Sequence, residues 1–371
     1  MNRFHGTTGT IHRRERGATL VELMISLLLG LLLTAGIIQI FVGNRVTYAF
    51  NDGLSRIQEN ARFALDQVAF NTRMAGYKGC ISDVAIYNNL NTGTAIDFAL
   101  DLENGIFGHE ASGTGTGQVF SDPAEVWTPG LPAVLAGLPI AGSDVLIVRG
   151  VSSDANSLVS PFTNSAQVFV SEPHDFVEGD VLVATDCQKA SIFQVTNVQA
   201  TGVGINLVHA QSNGYVPGNN ISNWDTAQDY GLGAEVARLQ ARAFYVGTGA
   251  DGRPALFQLR LQSSVASAFV PEELATGIDT MQVRYGVDLD NNGTIDRWET
   301  ADTVGTWRNV VSIEVTLVAR STEEYGQERD TAIYEVGGGT RFNPPADDQG
   351  LDDRRLRQVF STTIGVRNRL P

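Results

Sequence analysis

The fold is decided by residues 17–42, which read GATLVELMISLLLGLLLTAGIIQIFV. Between Ala18 and Val42 the only ionisable side chain is that of Glu22. A helix of this length is about 37 Å long at about 1.5 Å per residue, which exceeds the roughly 30 Å hydrocarbon core of a bilayer. The stretch therefore predicts a transmembrane helix.

The residues before this stretch predict its orientation. Arg13, Arg14 and Arg16 precede the apolar run and favour the cytoplasmic side, so the remainder of the chain is expected across the membrane. A cleaved secretory signal is the alternative, but its apolar core is short and ends at small residues in an A-x-A pattern. The present run is longer, and no such pattern closes it.

Glu22 is the unusual residue of the helix. A lone carboxylate inside the membrane costs roughly 2.5 to 3.5 kcal/mol and is usually retained for a partner, although a charge near the interface can also snorkel to water. The order from Gly17 to Leu23 after a basic leader resembles the type IV prepilin motif. The resemblance implies that a prepilin peptidase cleaves between Gly17 and Ala18 and methylates the new amine of Ala18.

The same resemblance implies a role for Glu22 in assembly, in which its carboxylate pairs with the terminal amine of a neighbouring subunit. A buried acid and amine neutralise one another only when two chains are in register, which would make Glu22 a check on correct stacking. Ala18 departs from the Phe that major pilins usually carry there, a departure that minor pilins and pseudopilins tolerate.

The helix is predicted to continue beyond the membrane. Its apolar residues recur three or four positions apart at Leu54, Ile57, Ala61, Ala64 and Val68. This spacing is typical of an amphipathic helix. We therefore expect one helix from about Ala18 to about Met74, with its second half packed on a globular body.

The remainder reads as short apolar or alternating runs between Gly, Asn, Asp and Pro, which predicts β-strands. The strand candidates are 145–148, 168–170, 181–184, 192–195, 243–246, 256–261, 281–287, 310–319 and 359–366. The candidate 310–319, in which apolar and polar residues alternate from Val311 to Thr316, predicts a strand with one buried face. Residues 104–118, 211–233 and 337–354 are expected to be long loops, the last with a solvated charge cluster rather than a second metal site.

The predicted fold class is α+β, a pilin-like lollipop with a long helix and a β-rich body. We divide the chain into a leader (1–17), a transmembrane half-helix (18–42), an amphipathic half-helix (43–76) and a periplasmic body (77–371). The 371 residues carry 26 basic and 41 acidic side chains, a net charge of −15. Nucleic-acid binding is not expected, because it relies on clustered cations. The sequence contains no recognisable catalytic motif, so an enzyme is not expected.

The chain has two cysteines, Cys80 and Cys187. In an oxidising periplasm, two thiols are expected to form one disulfide, although two buried free thiols are the alternative. The bridge would close a loop of more than 100 residues and stabilise the fold by roughly 4 to 5 kcal/mol in the chain-entropy description.

Residues 288–299 read DLDNNGTIDRWE and match the twelve-residue pattern of an EF-hand loop. This pattern provides oxygen ligands for Ca²⁺ at alternate positions and a Gly at the sharp bend. The flanks predict a β-hairpin rather than two helices, and a metal-free turn is the alternative. The predicted ligands are Asp288, Asp290, Asn292, Thr294 through its carbonyl, Asp296 and, with the weakest support, Glu299.

Several further segments resemble PilW-type minor pilins of Gram-negative type IV pili. They are GSDVLIVRG (142–150), VRYGVDLDNNGTIDRW (283–298), NVVSIEVTLVARS (309–321) and RRLRQVFSTTIGVRNRL (354–370). The resemblance implies an inner-membrane protein that helps to initiate pilus assembly and joins the fibre at or near its tip, with twitching motility, adhesion and DNA uptake as downstream outcomes. Its implied partners are other minor pilins, the major pilin, the prepilin peptidase and the inner-membrane assembly machinery. A J-like pseudopilin of type II secretion and a membrane-tethered calcium-dependent adhesin are the alternatives.

Overall fold

The computed structural model describes residues 19–79, 84–93, 97–211, 214–262, 268–325, 328–345 and 353–369. The predicted leader, the cleavage-site residues Gly17 and Ala18, and Cys80 lie outside these ranges. The chain divides into two compact units, residues 1–52 and residues 53–371. The longest element, helix α1, runs from Leu20 to Arg73 and contributes to both units.

The first unit is described from residue 19 and consists of the amino-terminal part of α1. The helix begins after Thr19, whose Oγ1 accepts a hydrogen bond of 3.3 Å from the amide of Glu22. A Thr at this position satisfies a helix amide that would otherwise have no partner. Residues 19–48 are all exposed, and they include a stretch long and apolar enough to cross a membrane. The long apolar helix predicted from the sequence is therefore confirmed.

The second unit is rich in β-structure. Its strands are β1 Ala85–Asn88, β2 Ile106–Ala111, β3 Val119–Phe120, β4 Trp127–Thr128, β5 Val145–Val151, β6 Asn156–Ser157, β7 Gln167–Val170, β8 Val181–Thr185, β9 Lys189–Gln194, β10 Asn197–Thr201, β11 Gly204–Val208, β12 Glu235–Thr248, β13 Pro254–Gln262, β14 Ala268–Thr276, β15 Ile278–Val287, β16 Arg297–Glu299, β17 Val310–Glu324, β18 Tyr334–Glu335, β19 Arg341–Phe342 and β20 Arg355–Gly365. The short helix α2 spans Asp97–Leu100, and 3₁₀ turns span Ala133–Leu135, Thr226–Gln228, Trp307–Asn309 and Arg367–Arg369. The α+β class and the β-rich body are thus confirmed.

The largest sheet contains ten strands and is organised around β12. The main path of this sheet is β1-β9-β8-β12-β5-β2-β4, and β13 and β14 extend it from the far half of β12. The first residues of β12 pair with β8, and its last residues pair with β13. A single long strand therefore joins the two halves of the sheet.

A second sheet of four antiparallel strands has the order β16-β15-β17-β20. Two three-stranded sheets, β10-β11-β7 and β18-β19-β3, complete the described β-structure. The four-stranded sheet holds the predicted calcium loop between β15 and β16, and it places β20 at one edge.

One face of α1 belongs to the main core of this unit. Ile57, Ala61, Ala64 and Val68 are at most 2% exposed and lie in one apolar cluster with residues of β15 and β17. The small alanine side chains let the helix approach the sheet closely, and each fully buried larger apolar side chain contributes roughly 1.5 to 3 kcal/mol. The three-and-four spacing read from the sequence marks this buried face.

The helix ends where the backbone needs glycine. Gly76 adopts a φ of +74°, which a residue with a Cβ rarely tolerates. A Cβ on Gly105 would lie 2.4 Å from the backbone of Gly76. The chain can therefore turn from α1 into the body only because two glycine backbones meet there.

The prediction that strand β17 has one buried and one exposed face is wrong for the second face, which is also buried. Ser312 and Thr316 of β17 are buried, as is Val318. Val318 packs with Phe120, Val336 and Phe342, which come from the small β18-β19-β3 sheet and the segment beside it. The second face of β17 is covered by distant segments, whose position the local alternation could not reveal.

Two of the predicted long loops are also more structured than expected. Residues 104–118 contain β2, which pairs with β5. Within residues 211–233, Trp224 and Tyr230 are buried against Phe162 and Phe193 of a second apolar cluster. These segments are therefore parts of the packed body over the residues that the structure describes.

Candidate assembly and metal-binding sites

The first candidate site is the start of α1. Glu22 lies in the first turn of the helix and is exposed, as are its apolar neighbours. Its amide is satisfied by Thr19, so the Thr19-x-x-Glu22 spacing also serves as a helix start signal. Within the described part of the first unit, Glu22 is thus the single acid of an exposed apolar run.

The second candidate site is the turn between β15 and β16. Asn291 and Gly293 have φ values of +57° and +83°, so the turn uses two positions where Asn and Gly are tolerated best. Asp288 accepts hydrogen bonds from the amides of Asn292, at 3.2 Å, and Gly293, at 2.7 Å. Burial acts to raise the pKa of Asp288, but these amide hydrogen bonds outweigh it and lower the pKa. The carboxylate is therefore kept ionised.

Three of the six predicted ligands converge here. Carboxylate oxygens of Asp288, Asp290 and Asp296 all lie within 4.8 Å of one another. The amide of Leu289 donates a 2.7 Å hydrogen bond to Asp296, which holds that side chain over the turn. Oxygen ligands at this separation are compatible with one hard cation at about 2.3 to 2.6 Å from each.

The other predicted ligands are placed less directly. The side-chain oxygen of Asn292 accepts a hydrogen bond from the amide of Thr294 at 2.8 Å, and its Nδ2 donates to Asp290 at 2.9 Å. To bind a cation, the Asn292 amide would have to turn its oxygen inward. Glu299 lies in β16, where its Oε1 forms an ion pair with Arg297, and it is outside the group of three converging carboxylates.

The predicted disulfide has only one cysteine in the described residues. Cys187 follows β8 and has a φ of +68°. A Cβ on Gly79, the residue before Cys80 in the sequence, would lie 2.4 Å from Cγ2 of Thr185. Neighbours of both cysteines are thus in contact, which favours the bridge, but the pairing stays a prediction.

A buried carboxyl pair was not foreseen from the sequence. Glu110 and Asp144 are 5% and 2% exposed. Asp144 accepts hydrogen bonds from the amides of Ala111, at 2.9 Å, and Val283, at 2.8 Å. Burial, with the nearby charges of Asp144 and Asp302, raises the pKa of Glu110 to about 9, and burial raises the pKa of Asp144 to about 7.

The expected solvated charge cluster near residue 353 is a buried ion network in its described part. The side chain of Arg357 is 2% exposed and contacts Asp279, Asp330 and Asp353 at 2.7 to 2.8 Å. Burial acts to lower the pKa of Arg357, but these carboxylates outweigh it and raise the pKa. The sequence expectation was wrong because Asp279 and Asp330 come from segments far from Arg357 in the chain. Asp347, Asp348 and Asp352 lie outside the described residues.

Comparison with protein families gives two matches. Residues 243–368 match the family described as Type IV Pilus-assembly protein W, and residues 12–38 match the prokaryotic N-terminal methylation motif. The first match extends from within β12 to the turn after β20 and contains the candidate calcium loop. The second contains Glu22 and the predicted cleavage position.

Among solved structures, the chain is similar to a type IV-like pilin from Thermus thermophilus. The two share 13% identity over 53% of this chain and 86% of that one, with a TM-score of 0.23. No curated protein matches the sequence. The chain thus contains a region similar to the PilW family and a prokaryotic methylation motif, and these two matches, together with the long apolar helix and the β-rich body, support a PilW-type minor pilin.

Proposed function

We propose that this protein helps to initiate type IV pilus assembly in the inner membrane and is then incorporated at or near the tip of the fibre. The observation that carries the proposal is the position of Glu22, the single acid of the exposed apolar run 20–42 and within the methylation motif. The role is structural rather than catalytic.

The exposed apolar side chains of the helix must be shielded from water. Residues 20–42 leave large apolar side chains such as Leu31 and Phe41 more than 60% exposed. Lipid supplies the cover in the membrane, and the equivalent helices of other subunits supply it in a fibre. Transfer from lipid to fibre is favourable for Glu22 when it meets the positively charged amine of a neighbouring chain.

The partners follow from this arrangement. The prepilin peptidase would cleave between Gly17 and Ala18 and methylate the new amine. Other minor pilins, the major pilin and the inner-membrane assembly machinery would contact the processed helix. With the basic leader in the cytoplasm, the body lies in the periplasm of a Gram-negative cell.

Deletion and complementation test this proposal. A strain without the gene should lose most pili, and the wild-type gene should restore them. We expect Glu22→Val to insert in the membrane normally yet restore at least about tenfold fewer pili, because the assembled helix would leave an amine unpaired. Glu59→Val is the matched control, since Glu59 is an exposed glutamate farther along the same helix.

The same strains separate the alternatives. Normal piliation with loss of protein secretion would instead support a J-like pseudopilin of type II secretion. Normal piliation with poor surface attachment would support a tethered adhesin. Normal incorporation of Glu22→Val into pili would refute the pairing of this residue.

We also propose that the β15–β16 turn binds Ca²⁺. The convergence of the Asp288, Asp290 and Asp296 carboxylates supports this second proposal. The carbonyl of Thr294 and a reoriented Asn292 amide would supply further oxygens, and water can fill the remaining positions. The bound cation would offset two of the three adjacent negative charges and fix the hairpin within the PilW domain.

A further inference from the structure

Strand β20 forms a long edge of the four-stranded sheet. It has 11 residues, and among the described strands it pairs only with β17. The amide of Val366, directly after the strand, donates to the carbonyl of Val311 at 2.9 Å, which fixes the direction of every backbone group along β20. Because hydrogen-bonding direction alternates along an antiparallel strand, the amides and carbonyls of Val359, Ser361, Thr363 and Gly365 point away from β17.

These outward groups have no hydrogen-bond partner among the residues that the structure describes. Ser361, Thr363 and Gly365 are also exposed. Four consecutive outward positions therefore present a row of donors and acceptors to the surroundings. Such a row is a template for the addition of another strand.

The other edges of the described sheets are either interrupted by charges and proline or short, and β10, an edge strand without charge or proline, has five residues. Strand β14 carries Pro271, Glu272 and Glu273 along its exposed edge, and its pairing with β13 has an irregular register. The edge strands β1, β4 and β16 have four, two and three residues. By contrast, residues 359–365 of β20 read VFSTTIG, with no charge and no proline. Among the described edge strands, β20 thus has the longest run without charge or proline, which marks it as the edge best suited to pair with an added strand.

The side chains around this edge indicate the occupant. Phe360 is only partly covered and packs on the main core, so an added strand with alternating apolar residues would extend that core. Arg367 lies exposed just beyond the strand and makes no ion pair with a described residue. An acidic residue at the matching end of the added strand would meet this charge.

A second copy of the chain fits less well. Antiparallel pairing of two β20 edges would bring Arg367 of one copy toward the Arg354 and Arg355 end of the other. Each copy also has a net charge of −15, so long-range repulsion opposes the encounter. We propose that the free edge of β20 binds an extended segment of a different polypeptide, with alternating apolar residues, an uncharged centre and an acidic residue beside Arg367. This property goes beyond the role in pilus initiation and does not require it.

A blocked, fluorescently labelled peptide of about eight alternating Val and Thr residues with an amino-terminal Asp is a suitable probe. Its anisotropy is measured with the full-length protein in detergent micelles. We expect binding, and we expect Thr363→Pro to weaken it about tenfold, because this change removes one outward donor while it spares the ladder with β17. Thr363→Val, which keeps the amide, should bind as the wild type does.

Charge is tested separately. A peptide with Lys in place of Asp should bind about threefold more weakly at low salt, and Arg367→Gln should remove that preference. If Thr363→Pro does not fold, Ser361→Pro removes the neighbouring outward donor in its place. Hydrogen exchange with fragment-level resolution should show the amides of Ser361, Thr363 and Gly365 protected only when the peptide is bound.

Three results would overturn the proposal. The first is a lack of peptide binding at the edge. The second is binding that is equal in the proline and valine variants. The third is concentration-dependent protection of the same amides without peptide, which would assign the edge to a second copy. None of these results depends on whether the protein takes part in piliation.

Discussion

Glu110 is a buried carboxyl group whose surroundings disfavour the ionised form. Thr114 donates a 3.2 Å hydrogen bond to it, while Asp144 and Asp302 add negative charge nearby and Arg284 lines the same small cavity. Its pKa in the folded protein, about 9, lies above the ordinary 4.5. The folded state therefore binds more protons than the unfolded state between these pH values, and stability must fall as pH rises through this window.

This carboxyl gives a prediction at the residue scale. Glu110→Gln should raise the free energy of unfolding at pH 8 by about 1 to 3 kcal/mol and have little effect at pH 4. The measurement is thermal unfolding of the full-length protein in micelles, followed by tryptophan fluorescence between pH 4 and pH 9. Exposed Glu125→Gln is the control, and its stability should equal that of the wild type throughout this pH range. A Glu110→Gln curve parallel to that of the wild type would contradict the burial argument.

Sequence reading could single out individual residues when the signal was local. Glu22 stands out because its neighbours are apolar, and Asp288 to Asp296 stand out because their spacing is fixed by one turn. The Glu110–Asp144 pair could not be found in this way, since the pairing of β2 with β5 brings the two residues together. The role of Glu299 stays a prediction, because a pattern position placed it in the ligand set while in the structure it lies in β16 and pairs with Arg297.

At the scale of elements, helix α1 was the most predictable. Its apolar run and its three-and-four spacing are properties of the local chain, and the observed Leu20–Arg73 is close to the expected Ala18–Met74. All nine strand candidates lie in or overlap observed strands. The strand faces were less predictable, because β17 is covered on its second side by β3 and β19, which are distant in sequence.

The turn between β15 and β16 carries the prediction at the element scale. Calorimetry of the full-length protein in micelles should detect Ca²⁺ binding with a dissociation constant between about 10⁻⁶ and 10⁻³ M. Asp288→Ala should weaken binding at least about 100-fold, because it removes a carboxylate and the acceptor that shapes the turn. Asp251→Ala is the matched control, since Asp251 is an acid in another exposed turn.

The same titration defines the role of Glu299. If Glu299→Gln binds as the wild type does, the site uses the three converging carboxylates without it. Absence of heat in the wild-type protein would exclude the calcium proposal. Equal binding by Asp288→Ala would exclude this turn as the site.

At the scale of the whole molecule, the sequence predicted the class of fold but not its connections. Hydrophobic periodicity distinguishes helix from strand, but it does not show that β12 would join two halves of a ten-stranded sheet. Nor does it show that residues 211–233 would bury Trp224 and Tyr230. These features depend on contacts between distant segments, which local patterns do not encode.

The proposed role in pilus assembly requires processing of the amino terminus, because a trimmed helix would present a free amine to the Glu22 of a neighbour. The most direct measurement is intact-mass and amino-terminal mass spectrometry of the protein purified from its native membrane. We predict a chain that begins at Ala18 and carries a methyl group on its amine. A chain that still begins at Met1, or one cut beyond Val42 and released from the membrane, would contradict the assignment of this protein to pilus assembly.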